Sequence, residues 1–509
     1  MRTFPAALAV TLLATAAAAA DRPNVLLVIA DDMAWNDCGP YGSRIVRTPN
    51  MDRLAKQGMT FNLAFTATAM CSPTRQQLYT GLFPVRNGAH PNHSRVKSGT
   101  KSIVHHLKKL GYRVALTGKK HIGPRASFPF EPGTRKFVTR NSKQPFCLVV
   151  ASKEPHAPWN TGPKDYDPDK ISVPKNLVDN PVTRRSLAAY YSEITQFDSE
   201  LGGWLKVLDD AKLAKNTIVI VTTEQGPQFP GGKWTCYDYG LHVGFIVRWP
   251  GKVKPGSRSN ALVQYVDVVP TLIEAAGGNP AKVDTGRAGA TDGGRGFDGK
   301  SFLDILRGKT DAHHKYVYGV HTTNGIISGK PYPIRSVRDK RYRYIRNLLP
   351  KATFQNIITE NDRQKYWAAW KETAKTDPRA AALVKRYRRR PAEELYDLET
   401  DPLELHNLAA DPKYRAKITE LNVRLQSWMK QQGDRGVETE LAVKSRRKRK
   451  KRRSRKNLQV SPAGLQSSCE APRADSETAA IRPASIRRGT DEGRDSSRTG
   501  TVRSPSGVR

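Results

Sequence analysis

Asn24-Val25-Leu26-Leu27-Val28-Ile29-Ala30-Asp31-Asp32 is an unbroken apolar run that stops in two carboxylates. A continuous run with β-branched residues and no polar alternation suits a strand covered on both faces, as in a parallel sheet between helix layers. The same grammar recurs three times. Residues 112–116 (YRVAL) run into Thr117-Gly118-Lys119-Lys120-His121, 146–151 (FCLVVA) into Glu154-Pro155-His156, and 217–221 (TIVIV) into Glu224-Gln225-Gly226. In such sheets ligands bind beyond the carboxyl ends of the strands, so all four polar clusters are expected on one edge. Helical spacing lies between them. Residues 50–57 carry an Asn50 cap signal and stop at Gly58, and 186–208 place Leu187, Tyr190, Tyr191, Ile194 and Phe197 at helical intervals. The chain reads as an alternating α/β protein.

Beyond about residue 315 the texture changes. Residues 315–321, 333–337 and 342–346 read as short strands and 411–430 as a closing helix, with Arg335, Arg338, Lys340, Arg341, Arg343 and Arg346 among them. A smaller α+β subdomain with an antiparallel sheet is expected over 316–440, beside a main domain over 21–315. Residues 1–20 combine Arg2, an apolar stretch and Ala18-Ala19-Ala20, the form of an export signal; with no later membrane span, a secreted or periplasmic soluble protein is expected. Residues 444–456 hold 11 basic side chains in 13 positions, and 441–509 reads as a basic disordered tail.

Five cysteines (Cys38, Cys71, Cys147, Cys236, Cys469) form no disulfide framework, and the odd count leaves one unpaired or modified. The formal charge is +38, of which +13 lies in 441–509 and +25 in the rest. A basic body favours an anionic partner by steering, and a sulfated polysaccharide meets that description without a specific nucleic-acid partner.

Two adjacent carboxylates at a strand end repel each other unless a cation lies between them. Alone, Asp31-Asp32 would read as a cap or turn; with Glu224 and Gln225 at another strand end it makes an oxygen-only ligand set suited to calcium. Lys119, Lys233 and Arg75 sit in loop-like contexts where cations could meet an anionic ligand, and His121 and His156 follow strands on the same edge, as proton-transfer groups would. Cys71-Ser72-Pro73-Thr74-Arg75, continued by Leu78 and Thr80-Gly81, completes the set.

That Cys-x-Pro-x-Arg run, together with NVLLVIADD, TGKKHIGP, EPHAPW, GKWTCYDYGL leading to VRWPG, and LYDLETDPLELHNLA, resembles the type I sulfatase family over most of 21–440. The resemblance implies an alkaline-phosphatase-like three-layer sandwich and oxidation of Cys71 to formylglycine (3-oxoalanine) by a sulfatase-maturing enzyme. It implies a calcium ion held by Asp31, Asp32, Glu224, Gln225 and modified Cys71. It further implies that Arg75 and His121 support the aldehyde hydrate, that Lys119 and Lys233 bind sulfate, and that His156 protonates the leaving group. One hydroxyl of the hydrate would attack sulfur, and loss of a proton from the other would expel sulfate.

Two departures from the family stand out. Glu224-Gln225-Gly226 replaces the usual Asp-Asn-Gly, lengthening each side chain by a methylene, and the stretch between Phe130 and Phe146 is shorter than in relatives. TGKKHIGP with SFPFE, and GVHTT with YPIRSVRDKRYRYIRN, are most similar to heparan N-sulfatases (sulfamidases), which implies N-sulfoglucosamine as substrate and His321, Arg335 and Arg338 as contacts from the second subdomain. An O-sulfatase on another sulfated carbohydrate shares this core, a phosphoryl hydrolase shares the superfamily, and a secreted polyanion-binding protein would need only the basic charge.

Overall fold

The computed structural model describes residues 22–140 and 143–443. The expected export signal, Cys469 and all but the first three residues of the expected tail lie outside them; residues 441–443 are helical.

Strands β1 (Asn24–Ala30), β2 (Met59–Phe61), β3 (Arg113–Gly118), β4 (Glu131–Pro132), β5 (Phe146–Ala151), β6 (Thr217–Thr223), β7 (Phe245–Arg248) and β8 (Ser257–Ser259) form one sheet in the order β8-β2-β7-β6-β1-β5-β3-β4. β1 pairs in parallel with β5 and β6, and β3 with β4 and β5, while β7 alone in this sheet runs against its neighbours. Helices α1 (Pro49–Gln57), α2 (Cys71–Thr80), α3 (Pro181–Asp210) and α4 (Val268–Ala275) cover its faces.

Every residue of β1, β5 and β6 is buried, as the unbroken apolar runs require. Alternation sends Leu26, Val28, Leu148, Val150, Val219 and Val221 into one core with α1 and α3, and Val25, Leu27, Ile29, Val149, Ile218 and Ile220 into the other with α2 and α4. The register pairs Leu27 with Val149 and Ile220. A slip of one residue would draw Asp31 between the strands, and an unpaired buried charge costs several kcal/mol, about the margin that keeps a domain folded.

The α1 boundary differs from the expectation. The helix begins at Pro49, and Asn50 is not its cap. Its first free amides, on Asn50 and Met51, donate instead to the Asp198 carboxylate of α3 at 3.0 and 2.8 Å, and the Asn50 side-chain amide joins them at 2.9 Å. A distant carboxylate thus does the work of a local cap and ties two helices together.

Strands β9 (Val317–His321), β10 (Ile334–Arg338), β11 (Tyr342–Asn347) and β12 (Glu393–Asp397) make an antiparallel sheet in sequence order. Helix α5 (Arg415–Gln432) lays Ile418, Leu421, Leu425 and Trp428 against Val320, Val337, Tyr344 and Leu395. This is the expected architecture, a mostly parallel sheet between helices with an antiparallel α+β element after it.

Candidate active site

Backbone bonds beyond the strand ends lock the four polar clusters side by side. Glu224 N donates to Ala30 O and Asp31 N to Glu154 O at 2.8 Å, Ser152 N to Ile29 O at 3.0 Å, and Lys119 N to Ala151 O at 2.8 Å. Cys71 opens α2, a helix whose ten residues are all buried, so the positive end of the helix dipole lies at this side chain. Its Sγ is 3.9 Å from both Asp31 Oδ1 and Asp32 Oδ1 and 3.5 Å from Gln225 Nε2. Ligand atoms of Asp31, Asp32, Cys71 and His156 all lie within 4.8 Å of one another.

Three cations enclose this cluster. Lys119 touches Asp31 and Lys233 touches Asp32 through their ammonium groups. Arg75, wholly buried, donates from Nε and Nη2 to the two Glu224 oxygens at 2.8 and 3.1 Å and from Nη1 to Lys119 O at 3.1 Å. Glu224, expected as a metal ligand, thus places both oxygens on Arg75. Its extra methylene lets both oxygens reach Arg75, and it is absent from the convergent set.

Burial raises the Glu224 carboxyl well above its usual range despite Arg75, and raises Asp32 despite Lys233. Asp31 is held well below its usual range because Lys119, a hydrogen bond with Glu224, and Arg75 together outweigh its burial. Lys119 and Lys233 are in turn held above the ordinary lysine value by the anions around them, against the opposite pull of burial.

His156 donates from Nδ1 to its neighbour's carbonyl, Ala157 O, at 2.7 Å, which turns Nε2 toward Asp32 Oδ2 at 3.5 Å. Lys233 and burial push its pKa down, but Asp32, Cys71 and Asp31 prevail and hold it above the ordinary imidazole value. His121 Nε2 lies 2.7 Å from Nδ1 of His93, a partner that sequence reasoning missed because no strand precedes it. Asp32, His93, His121 and Trp234 all adopt left-handed φ, between 47° and 68°, and backbone strain of this kind collects where geometry is imposed by function.

The cluster forms the floor of a cavity of about 760 Å³. Asp31, Cys71, Lys119, His121, His156 and Lys233 reach it, as do four residues not anticipated from sequence: Lys153, Asn361, Arg363 and Gln364. Among the described residues Lys153 and Arg363 have no ion-pair partner.

His321, Arg335 and Arg338 do not reach the cavity, which corrects their expected role as substrate contacts. Arg335 is fully buried against Asp434 and Glu440, the latter at 2.9 Å. Arg338 pairs with Asp238 and lies over the Phe65 ring at 4.7 Å. His321 is fully buried, edge-on to Phe354 at 5.8 Å, and burial holds it well below the ordinary imidazole value.

A divalent cation fits the floor. Asp31 and Asp32 are buried and adjacent, and the Gln225 Oε1 oxygen is buried with no hydrogen-bond donor, an acceptor awaiting a positive partner. Gln225 Nε2 meets Asp32 Oδ1 at 2.5 Å; turning the amide over would present two oxygens to one ion, and an oxygen set of this kind suits a hard cation.

The sulfatase family profile matches residues 23–139 and 130–278, and the profile of the N-sulphoglucosamine sulphohydrolase C-terminal region matches 232–377. An ulvan-active sulfatase of Formosa agariphila is 37% identical over 443 residues, 83% of each chain. Human N-sulphoglucosamine sulphohydrolase is 28% identical over 469 residues, 80% of this chain and 89% of that one. A protein crystallised with D-glucosamine-2-N,6-O-disulfate superposes with a TM-score of 0.61 at 19% identity over 81% of this chain and 99% of its own. The phosphonate monoester hydrolase of Agrobacterium radiobacter reaches a TM-score of 0.59 at 18% identity over 81% and 96%, so the fold alone does not choose between sulfuryl and phosphoryl chemistry. With its profile and its relatives in agreement, the chain belongs to the type I sulfatase family, close to sulfamidase, and is a sulfuric ester hydrolase.

Proposed function

We propose that the protein removes sulfate from a sulfated glycan, N-sulfoglucosamine of heparan-type chains, using formylglycine at position 71 and calcium. The observation that carries the substrate reading is the cavity's far wall. Asn361, Arg363 and Gln364 lie inside the stretch that resembles the C-terminal region of N-sulphoglucosamine sulphohydrolases.

Converted to an aldehyde hydrate, residue 71 would supply the oxygen nucleophile, and calcium held by Asp31, Asp32 and Gln225 would neutralise charge on the sulfuryl oxygens. Lys119 and Lys233, beside the two aspartates, would bind the anionic group. Arg75 and Glu224 form a buried pair that braces Lys119 through its carbonyl. His156, protonated at Nε2 and oriented by Ala157, donates a proton to the leaving nitrogen or oxygen. His121 accepts a proton near residue 71 and can share it with His93. The burial of all ten α2 residues agrees with what the family resemblance implies, that a maturing enzyme oxidises Cys71 before folding.

Among the described residues no helix is long and apolar enough to cross a membrane, and the reading places the protein outside the cytoplasm on the strength of residues 1–20. A second reading, an O-sulfatase on another sulfated carbohydrate, is favoured by the 37% identity to an ulvan-active enzyme. Sulfate release from N-sulfoglucosamine and from 6-O-sulfated N-acetylglucosamine separates the two: turnover of the first supports the proposal, and turnover of the second alone overturns it. A chain ending at Val443 should keep this turnover; loss of turnover together with glycan binding would favour a polyanion-binding protein.

A further inference from the structure

Away from the strand-end cluster, Asp267 receives two imidazoles. His314 Nε2 lies 2.9 and 3.0 Å from the two carboxylate oxygens, and His313 Nε2 lies 3.2 Å from Oδ2. We propose that Asp267, His313 and His314 form a second metal site, one that takes a borderline dication of the zinc type.

The carboxylate is built to receive an ion. Gln264 N and Lys300 N donate to Oδ2 and Oδ1 at 2.8 and 3.0 Å, which fixes its plane and leaves a lone pair on each oxygen. The second observation is at His313. Its side chain is only 4% exposed, and Nε2 faces the carboxylate at 3.2 Å without the alignment of a hydrogen bond. A cation shared with Asp267 and His314 would satisfy that buried nitrogen better than the direct contact does.

The spacing suits nitrogen and oxygen ligands. A tetrahedral ion with bonds of about 2.0–2.1 Å separates its ligand atoms by roughly 3.3 Å, a small expansion of the gaps present. Two imidazoles with one carboxylate favour zinc over calcium. The Lys300 ammonium is engaged at 3.1 Å with the His313 carbonyl. The site opens to solvent only on the side of His314, whose side chain is 23% exposed, and there a water or exogenous ligand can complete the coordination.

The position suggests what the ion does. Asp267 leads directly into α4, which packs on α2, and Tyr265 two residues earlier hydrogen-bonds Thr222 Oγ1 at 2.7 Å at the end of β6. His314 lies just before β9 and forms a bridge with Leu262. The ion would fasten the chain entering the antiparallel sheet to the segment that supports α2 and β6, without touching the reaction.

The test is Co²⁺ titration of the full chain, stripped with EDTA and resupplied with excess Ca²⁺. One equivalent of Co²⁺ should develop the visible absorption of a tetrahedral nitrogen–oxygen site without a thiolate band, and should raise the melting temperature. Asp32→Asn should keep that spectrum and His313→Gln should lose it. The proposal fails if saturated wild type shows no tetrahedral band, or if His313→Gln shows the band undiminished. Should His313→Gln not fold, the zinc X-ray absorption spectrum of wild type decides: two imidazoles with oxygen support the site, and sulfur or an all-oxygen shell overturns it.

Discussion

Two regions of this chain are rich in cations and put them to opposite use. At the rim of the parallel sheet, Lys119, Lys233, Lys153 and Arg363 reach a solvent-filled cavity. In the antiparallel sheet, Arg335, Arg338 and Arg343 are spent on Asp434, Glu440, Asp238 and Glu404 inside the protein. What separates them is that Lys153 and Arg363 have no acid partner among the described residues, and that Asp31 and Asp32 lie where a metal ion would claim them. Positive charge becomes a binding feature only where the fold leaves it uncancelled or ties it to acids that an incoming cation can claim.

Substituting residues on each side sharpens that contrast. Cys71→Ala should have the largest effect, a loss of about 10⁴-fold or more in sulfate release with an unchanged melting temperature, because it removes the proposed nucleophile. Arg335→Ala should act on folding. It leaves Asp434 and Glu440 buried without their counter-charge, a destabilisation of about 3–5 kcal/mol by urea unfolding, while KM of the folded fraction stays at the wild-type value. A raised KM would return Arg335 to the substrate site.

Lys233→Ala should lower kcat/KM by roughly 10²–10³-fold, the usual loss when one preorganised charge is taken from a developing anion. The smallest effect concerns pH. Although burial raises Asp434, Arg335 prevails and lowers it from an ordinary 3.8. Its contribution is therefore complete above the ordinary aspartate range and is lost as pH falls through the lowered value. The urea midpoints of wild type and Asp434→Asn should converge in acid and stay apart at neutral pH; a constant gap would deny the linkage.

The strand ends were legible because an apolar run that stops in charges has only one place to stop in a doubly covered sheet. That the four clusters share one edge follows from this pattern, whereas Cys71 is read from the resemblance of its motif to the family's. Side-chain pairing was not legible. The partners of Arg335 lie about a hundred residues further on, at Asp434 and Glu440, and nothing near β10 announces them. Glu224 was read by its chemistry alone, whereas its length decides that it reaches Arg75. The cap of α1 escaped for a similar reason, since Asp198 is distant in sequence and adjacent only in the fold. Local pattern reports burial and direction; the identity of a neighbour across the core depends on contacts that no local window contains.

The account rests on residue 71 being an aldehyde at the moment sulfate is released. The decisive measurement is the mass of the tryptic peptide spanning 57–75 from protein that is actively releasing sulfate. A mass lowered by the change from –CH₂SH to –CHO, in proportion to activity, is the predicted result. Full turnover from protein whose peptide retains the intact thiol would contradict it.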